Sequence, residues 1–160
     1  ERGNGIHDAI ELFVETGEID KEHEESVLTF YNLLGQFDLE PIAGEIVVYD
    51  EDIKKASAID VLCQNKDGNK VIVDTKTFMK GMEYTSYGKE SFLHPIGSLQ
   101  TSKYNKTSLQ TSVYQRWCED KYGWKIDDTY CYLESATERK LIPLLDLKPY
   151  VDKLYEYEFH

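Results

Sequence analysis

The stretch from Ala58 to Thr77, AIDVLCQNKDGNKVIVDTKT, sets Asp60, Asp74 and Lys76 into otherwise apolar runs. Two Val/Ile-rich segments flank a polar Asn65-Lys66-Asp67-Gly68-Asn69 turn, the pattern of a β-hairpin. Alternation places Ile72, Asp74 and Lys76 on one face of the second strand and Val71 and Val73 on the other. Asp60 shares the charged face if its cross-strand partner is even-numbered, for example Asp74. A three-residue Lys66-Asp67-Gly68 loop closed by a left-handed glycine gives that register. Carboxylates paired in this way lie about 5 Å apart and repel. A cation between them resolves the repulsion: Lys76 brings one charge, and a divalent metal brings more. The chemistry this suits is hydrolysis. Asp-x-Lys alone is an ordinary solvated sheet face, and what raises it above that is the second acid fourteen positions upstream across a hairpin.

The elements that must hold these groups follow from the flanking sequence. Gly5 to Gly17 reads as an amphipathic helix with Ile6, Ile10, Phe13 and Val14 as its buried stripe and Gly17 as its C-terminal cap. His7 lies beside that stripe, where a histidine is ordinarily a core-edge residue. Asp20 is a suitable N-cap for a second helix, with Val27, Phe30, Tyr31 and Leu34 as its apolar face and Gly35 at its end. Pro41 and Gly44 break the chain before a strand from Glu45 to Tyr49. A charged turn, Asp50 to Lys55, then leads into the strand carrying Asp60, so three strands form an antiparallel meander. Glu45 begins the first of them, within reach of the Asp60/Asp74 face.

Phe78 to Gly97 has no periodicity and reads as a long binding loop or flap. Ser98 to Tyr122 is helical, with a break expected near Asn105 and a buried stripe of Leu109, Val113, Trp117 and Cys118. Gln110 and Tyr114 are four apart on one face, and a near-repeat of the same segment pairs Gln100 with Tyr104. Gly123 ends this helix. Tyr130 to Glu134 and Arg139 to Leu144 form two more strands, and Pro149 opens a last helix to about Tyr155. The order is α, α, β, β, β, α, β, β, α, a single α/β (α+β) domain spanning 1–160 with a core of useful size.

Composition bounds the function. No apolar run is long enough to span a membrane and no signal peptide is visible, so an intracellular protein is expected. The chain opens on Glu1 rather than Met, which suggests a fragment or a trimmed terminus. Three cysteines, Cys63, Cys118 and Cys131, are widely spaced without a C-x-x-C, so reduced thiols are expected and no zinc or iron–sulfur site. The net charge of −12 divides unevenly: residues 1–75 carry 6 basic and 18 acidic side chains (−12), 76–125 carry 8 and 4 (+4), and 126–160 carry 4 and 8 (−4). A basic track on an acidic body is compatible with a nucleic-acid substrate.

Taken together these residues resemble the exonuclease branch of the PD-(D/E)XK nuclease superfamily, the RecB-like enzymes and their phage and mitochondrial relatives. Over Gly5 to Glu134, GIHDAIE is similar to that family's N-terminal helix, EIVV followed by AID to its strand pair, IVDTKT to its D-x-K core, and SLQTSVYQRW to its Q-x-x-x-Y helix. The proline of the superfamily name is replaced by Ile59, and the small-glycine step before the acid reads Ala56-Ser57-Ala58. The resemblance implies a restriction-endonuclease-like core, a central mixed sheet of about five strands flanked by helices. It implies hydrolysis of DNA phosphodiesters, single- or double-stranded, with Mg²⁺ or Mn²⁺ and without an iron–sulfur cluster. His7, Asp60, Asp74 and the Thr75 carbonyl become metal ligands, with Asp60, Asp74, Lys76 and Glu45 catalytic and Gln110 and Tyr114 on the DNA backbone. The expected activity is that of a DNA exonuclease in repair, recombination or phage replication. The alternatives are a structure-specific or nicking endonuclease, and an inactive DNA-binding module of the same fold.

Overall fold

A computed structural model describes residues 2–51, 54–77 and 102–159, and side chains within 5–156 of those ranges. The expected loop Phe78 to Gly97 and the Gln100 of the near-repeat lie outside the described residues. The elements are α1 (Arg2–Thr16), α2 (Glu24–Gln36), β1 (Glu40–Asp50), β2 (Lys55–Gln64), β3 (Lys70–Thr77), α3 (Lys103–Tyr122), β4 (Ile126–Glu134), β5 (Arg139–Pro143) and α4 (Lys148–Phe159). The five strands lie in sequence order, β1-β2-β3-β4-β5, antiparallel except for the parallel pair β3–β4 that α3 connects. This is an open mixed sheet with four helices, an α+β fold consistent with a restriction-endonuclease-like core.

Each face of the sheet buries its own core. On one, Ile6, Ile10, Val27, Phe30 and Leu34 of α1 and α2 pack on Val61, Cys63, Val71, Val73 and Tyr132. On the other, Tyr114, Trp117 and Cys118 of α3 pack on Val48, Ile59, Leu62 and Ile72. β3 is therefore covered on both sides, which explains its nearly unbroken burial from Val71 to Thr75. Near the far end of β1, the buried Asp50 accepts from Tyr155 Oη of α4 at 3.1 Å, and Tyr155 is also bonded by Trp117, tying α3 and α4 to the sheet.

Several boundaries differ from the sequence expectation. Asp20 caps a short 3₁₀ turn, Lys21–His23, that runs into α2, accepting from the Glu22 N–H at 3.0 Å. Helix α2 continues past Gly35 to Gln36, and Tyr31 lies outside its buried face at 49% exposure. β1 does not begin at Glu45 but runs through Pro41 and Gly44. It is an edge strand, where a missing N–H is tolerated. At Gly44 α1 lies directly on β1: a Cβ there would meet Cγ of Glu11 at a tight 3.3 Å and its Cα at 3.5 Å. Among its described residues α3 shows no break near Asn105: it starts at Lys103 behind the N-cap Ser102, whose Oγ accepts from Asn105 N–H at 3.0 Å. Its buried face is mostly small and polar, with Ser108, Thr111, Ser112 and Gln115 buried while Leu109 and Val113 are half-buried. Ser108 and Ser112 accept from the Leu145 and Leu147 backbone at 3.1 and 2.9 Å, so this helix docks partly by hydrogen bonds.

Candidate active site

The β2–β3 hairpin has the expected register. Val61 pairs with Val73 and Gln64 with Lys70, so Asp60 and Asp74 are the next positions along the ladder. The loop is the three-residue Lys66-Asp67-Gly68, with Gly68 at φ +81° and its N–H donating to Asn65 O at 3.1 Å. The face of Asp60 differs from the expectation. Ile59 and Leu62 both pack toward α3 while Val61 packs toward α1, so alternation slips by one around Asp60. Opposite on β1, Glu45 takes φ +45° and the rung between Gly44–Val61 and Ile46–Ile59 carries no pairing. A non-glycine residue in that region is strained, at roughly 1 kcal/mol or more.

The slip turns the Asp60 carboxylate toward α1, and beyond Val61 the strands no longer pair. Asp60 Oδ2 fills the gap, accepting from the Thr75 backbone N–H at 2.9 Å and its hydroxyl at 3.1 Å. Asp74 lies on the α3 side of β3 and is buried at 6% exposure. Burial first, and then the negative charge of Asp60, raise its pKa to about 7 against the opposing pull of Lys76. The two carboxyls thus meet across the opening between strands. Lys76 Nζ forms an ion pair with Asp74 Oδ2 at 3.3 Å, and among the described residues no well-aligned hydrogen-bond donor meets that buried oxygen. Burial pulls the Lys76 ammonium down, while Asp74 and Asp60 outweigh it and hold its pKa above the ordinary value.

On the α1 side a cavity of about 210 Å³ is lined by His7, Asp8 and Glu11 of α1, Glu45 of β1, Ala58 and Asp60 of β2, and Thr75 of β3. His7, Glu45, Asp60 and Thr75 therefore come together as the sequence suggests. Asp74 joins them through Asp60, and Lys76 through Asp74, from the other side of the sheet. Glu11 and Asp8 were not singled out from sequence. The available signal was spacing, since Glu11 is one helical turn past His7 and shares its face. Its hydrogen bond with Glu45, then burial and the charges of Glu45, Glu15 and Asp8, lift the Glu11 pKa to about 7. The site thus holds two carboxyl pairs, each with one member close to neutral at physiological pH.

Gln110 and Tyr114 lie apart from this cavity. Gln110 Nε2 donates to Tyr114 Oη at 2.8 Å, and Tyr114 Oη shares a hydrogen bond with Ser57 Oγ at 2.7 Å. Tyr114 is buried and Gln110 exposed. Ser57, three positions before Asp60, is thus a fixed point between α3 and β2 that sequence reasoning missed.

Among the described residues no three His, Cys, Asp or Glu side chains converge as a ready-made metal cluster. The donors present are carboxylates in opposed pairs and the orphaned Asp74 oxygen, a hard oxygen set of the kind Mg²⁺ and Mn²⁺ take. Among the described residues no helix is long and apolar enough to cross a membrane.

The architecture is that of an α+β protein, consistent with a restriction-endonuclease-like core. Its whole length superimposes on a crystal structure from Eubacterium rectale named a "putative exonuclease", with a TM-score of 0.53 and 14% sequence identity. The chain spans 65% of that protein's length. No family model matches the chain, and no curated protein matches it.

Proposed function

We propose that this chain is a metal-dependent deoxyribonuclease of the PD-(D/E)XK superfamily, in its RecB-like exonuclease branch. The observation that carries the reading is the meeting of Asp60, Asp74 and Lys76 where β2 and β3 separate, with a buried carboxyl held against a like charge. The likeness to the Eubacterium rectale protein supports a nuclease fold at the level of the whole chain.

Asp60, Asp74, the Thr75 carbonyl and His7 are the groups that would hold Mg²⁺ or Mn²⁺. A cation held there would supply Lewis acidity toward a phosphate oxygen and a water. Lys76, kept protonated by Asp74 and Asp60, orients that water and donates to the phosphate oxygen on which charge builds. The water oxygen bonds to phosphorus as the bond to the leaving sugar oxygen breaks, and solvent protonates that oxygen. The proton lost by the water goes to solvent, while Glu11, raised to about 7 beside Glu45 in the α1-side cavity, is a carboxyl able to exchange protons near neutral pH. Gln110, exposed and held by Tyr114, contacts the DNA backbone and sets its position without reading sequence.

The test is digestion of end-labelled linear duplex, linear single strand and closed circular DNA in Mg²⁺, Mn²⁺ or EDTA, with Lys76→Ala alongside. Metal-dependent loss of linear DNA with circles surviving, abolished by Lys76→Ala, is the expected result. Cutting of circles would make the protein an endonuclease. DNA binding in EDTA without cleavage in any metal would make it an inactive binding module and refute the mechanism.

A further inference from the structure

Helix α3 carries two lysines in line with Gln110 that the proposed reaction does not use. From Ser102 to Cys118 the chain contains no acidic residue, although the protein as a whole has net charge −12. Lys103, Lys106 and Gln110 are all exposed and lie at i, i+3 and i+7. At 3.6 residues per turn the three fall within about 60° of arc, one narrow stripe on the helix. The opposite flank is where Ser108 and Ser112 hold Leu145 and Leu147, so the acidic Asp146 of that linker is on the far side. The stripe is also at the positive end of a 20-residue helix.

The fold sets this stripe beside the site. Tyr104, in the first turn of α3, packs on Cys131 and Leu133, which pair in register with Asp74 and Lys76. Nearly three turns later Tyr114 is bonded to Ser57 of β2. The first half of α3 therefore crosses from β4 to β2 over the same face of the sheet that carries Asp74 and Lys76. The stripe is about 10 Å long at 1.5 Å per residue, and phosphates of one strand rise about 3.4 Å each, so it faces roughly three.

We infer that Lys103, Lys106 and Gln110 form a track for the phosphodiester backbone of one nucleic-acid strand as it leaves the Asp74/Lys76 site. This rests on the nuclease reading above and adds to it the path of the substrate. The track contacts backbone and no bases, so its contribution is independent of sequence and steeply dependent on salt.

The experiment is fluorescence anisotropy of a fluorescein-labelled single-stranded DNA oligonucleotide in EDTA over a series of salt concentrations. Wild type is compared with Lys103→Gln/Lys106→Gln. A second double variant, Lys66→Gln/Lys125→Gln, removes the same charge from two exposed lysines on other parts of the surface. Losing two phosphate contacts at a slope of 0.7 to 0.9 each lowers the log–log salt slope by about 1.4 to 1.8 and weakens binding about 25- to 60-fold at 0.1 M salt. The control variant is expected to keep the wild-type slope. If both double variants lose slope equally, net charge and no track is responsible, and the inference fails. If the Lys103/Lys106 variant binds like a wild type that still cleaves DNA, the inference fails and the nuclease reading stands. A wild type that neither binds nor cleaves DNA refutes both. All substitutions are on exposed helix or loop positions, and circular dichroism melts verify that each variant is folded.

Discussion

Asp74→Asn is expected to abolish cleavage in Mg²⁺ and, in metal-free buffer at pH 8, to make the protein more stable. Burial and the facing Asp60 raise the Asp74 pKa from 3.8 to about 7 in the fold. An acid whose folded pKa is raised binds more protons folded than unfolded between those two values, so stability falls as pH rises through that window. Below pH 4 the carboxyl is protonated in both states and adds nothing. Above pH 7 the full penalty is present. At about 1.4 kcal/mol per tenfold in proton affinity, that penalty is ~4 kcal/mol as an upper figure. Asparagine fills the same space without charge, and the pull of Lys76 is already contained in the raised pKa of Asp74. The net gain at pH 8 is therefore up to ~4 kcal/mol, or roughly 8–16 °C in melting temperature for a chain of this size. Thermal melts of both proteins in EDTA from pH 4 to 8 measure it. The curves should coincide at pH 4 and diverge upward for the variant. Equal pH slopes, or a variant less stable than wild type at pH 8, would show that Asp74 is not held against its charge and would remove the physical basis for a cation there.

Two further outcomes test the surroundings. His7→Ala is expected to weaken Mn²⁺ binding by at least about tenfold in calorimetry, whereas a change confined to melting temperature would make His7 a core-edge residue of α1. Tyr114→Phe removes a hydroxyl bonded to both Ser57 and Gln110 and should cost about 1–2 kcal/mol of stability by urea titration. Its DNA affinity should fall less than that of Gln110→Ala, and the reverse order would mean that Tyr114 itself reaches the substrate.

What could be read in the sequence, and what could not, divides along physical lines. The hairpin was legible because turn chemistry is local: only a residue tolerant of positive φ closes a three-residue loop, and Gly68 sits where parity needs it. The face of Asp60 was not, because it depends on Glu45 adopting φ +45° on the neighbouring strand, and nothing in a Glu codes for that. The first helix was legible from its apolar stripe, and its Gly17 takes φ +77° at the expected end. The buried face of α3 was harder, because Ser108, Ser112 and Gln115 hide their polarity in hydrogen bonds that only the tertiary structure supplies, while Thr111 bonds back to carbonyls of its own helix. β1 ran longer than expected because edge position, a property of topology, is what makes Pro41 harmless.

The same division explains why Glu11 escaped notice while Asp74 did not. An acid inside a β-branched run is conspicuous because the run itself demands burial. An acid on an amphipathic helix is ordinary until a second acid is brought against it from elsewhere. Here that second acid is Glu45, delivered by a strained turn of an edge strand onto a helix that Gly44 allows to approach closely. A left-handed glutamate, two carboxyl pairs and a buried oxygen without a donor are each unfavourable, and folding alone gives no reason for them to coincide. They converge on one opening in the sheet, with a lysine held protonated on one side and a histidine on the other. Local rules broken together at one place are the physical mark of a site kept for its chemistry. What the paired carboxyls call for electrostatically is positive charge, and that need is what the proposed divalent cation would answer.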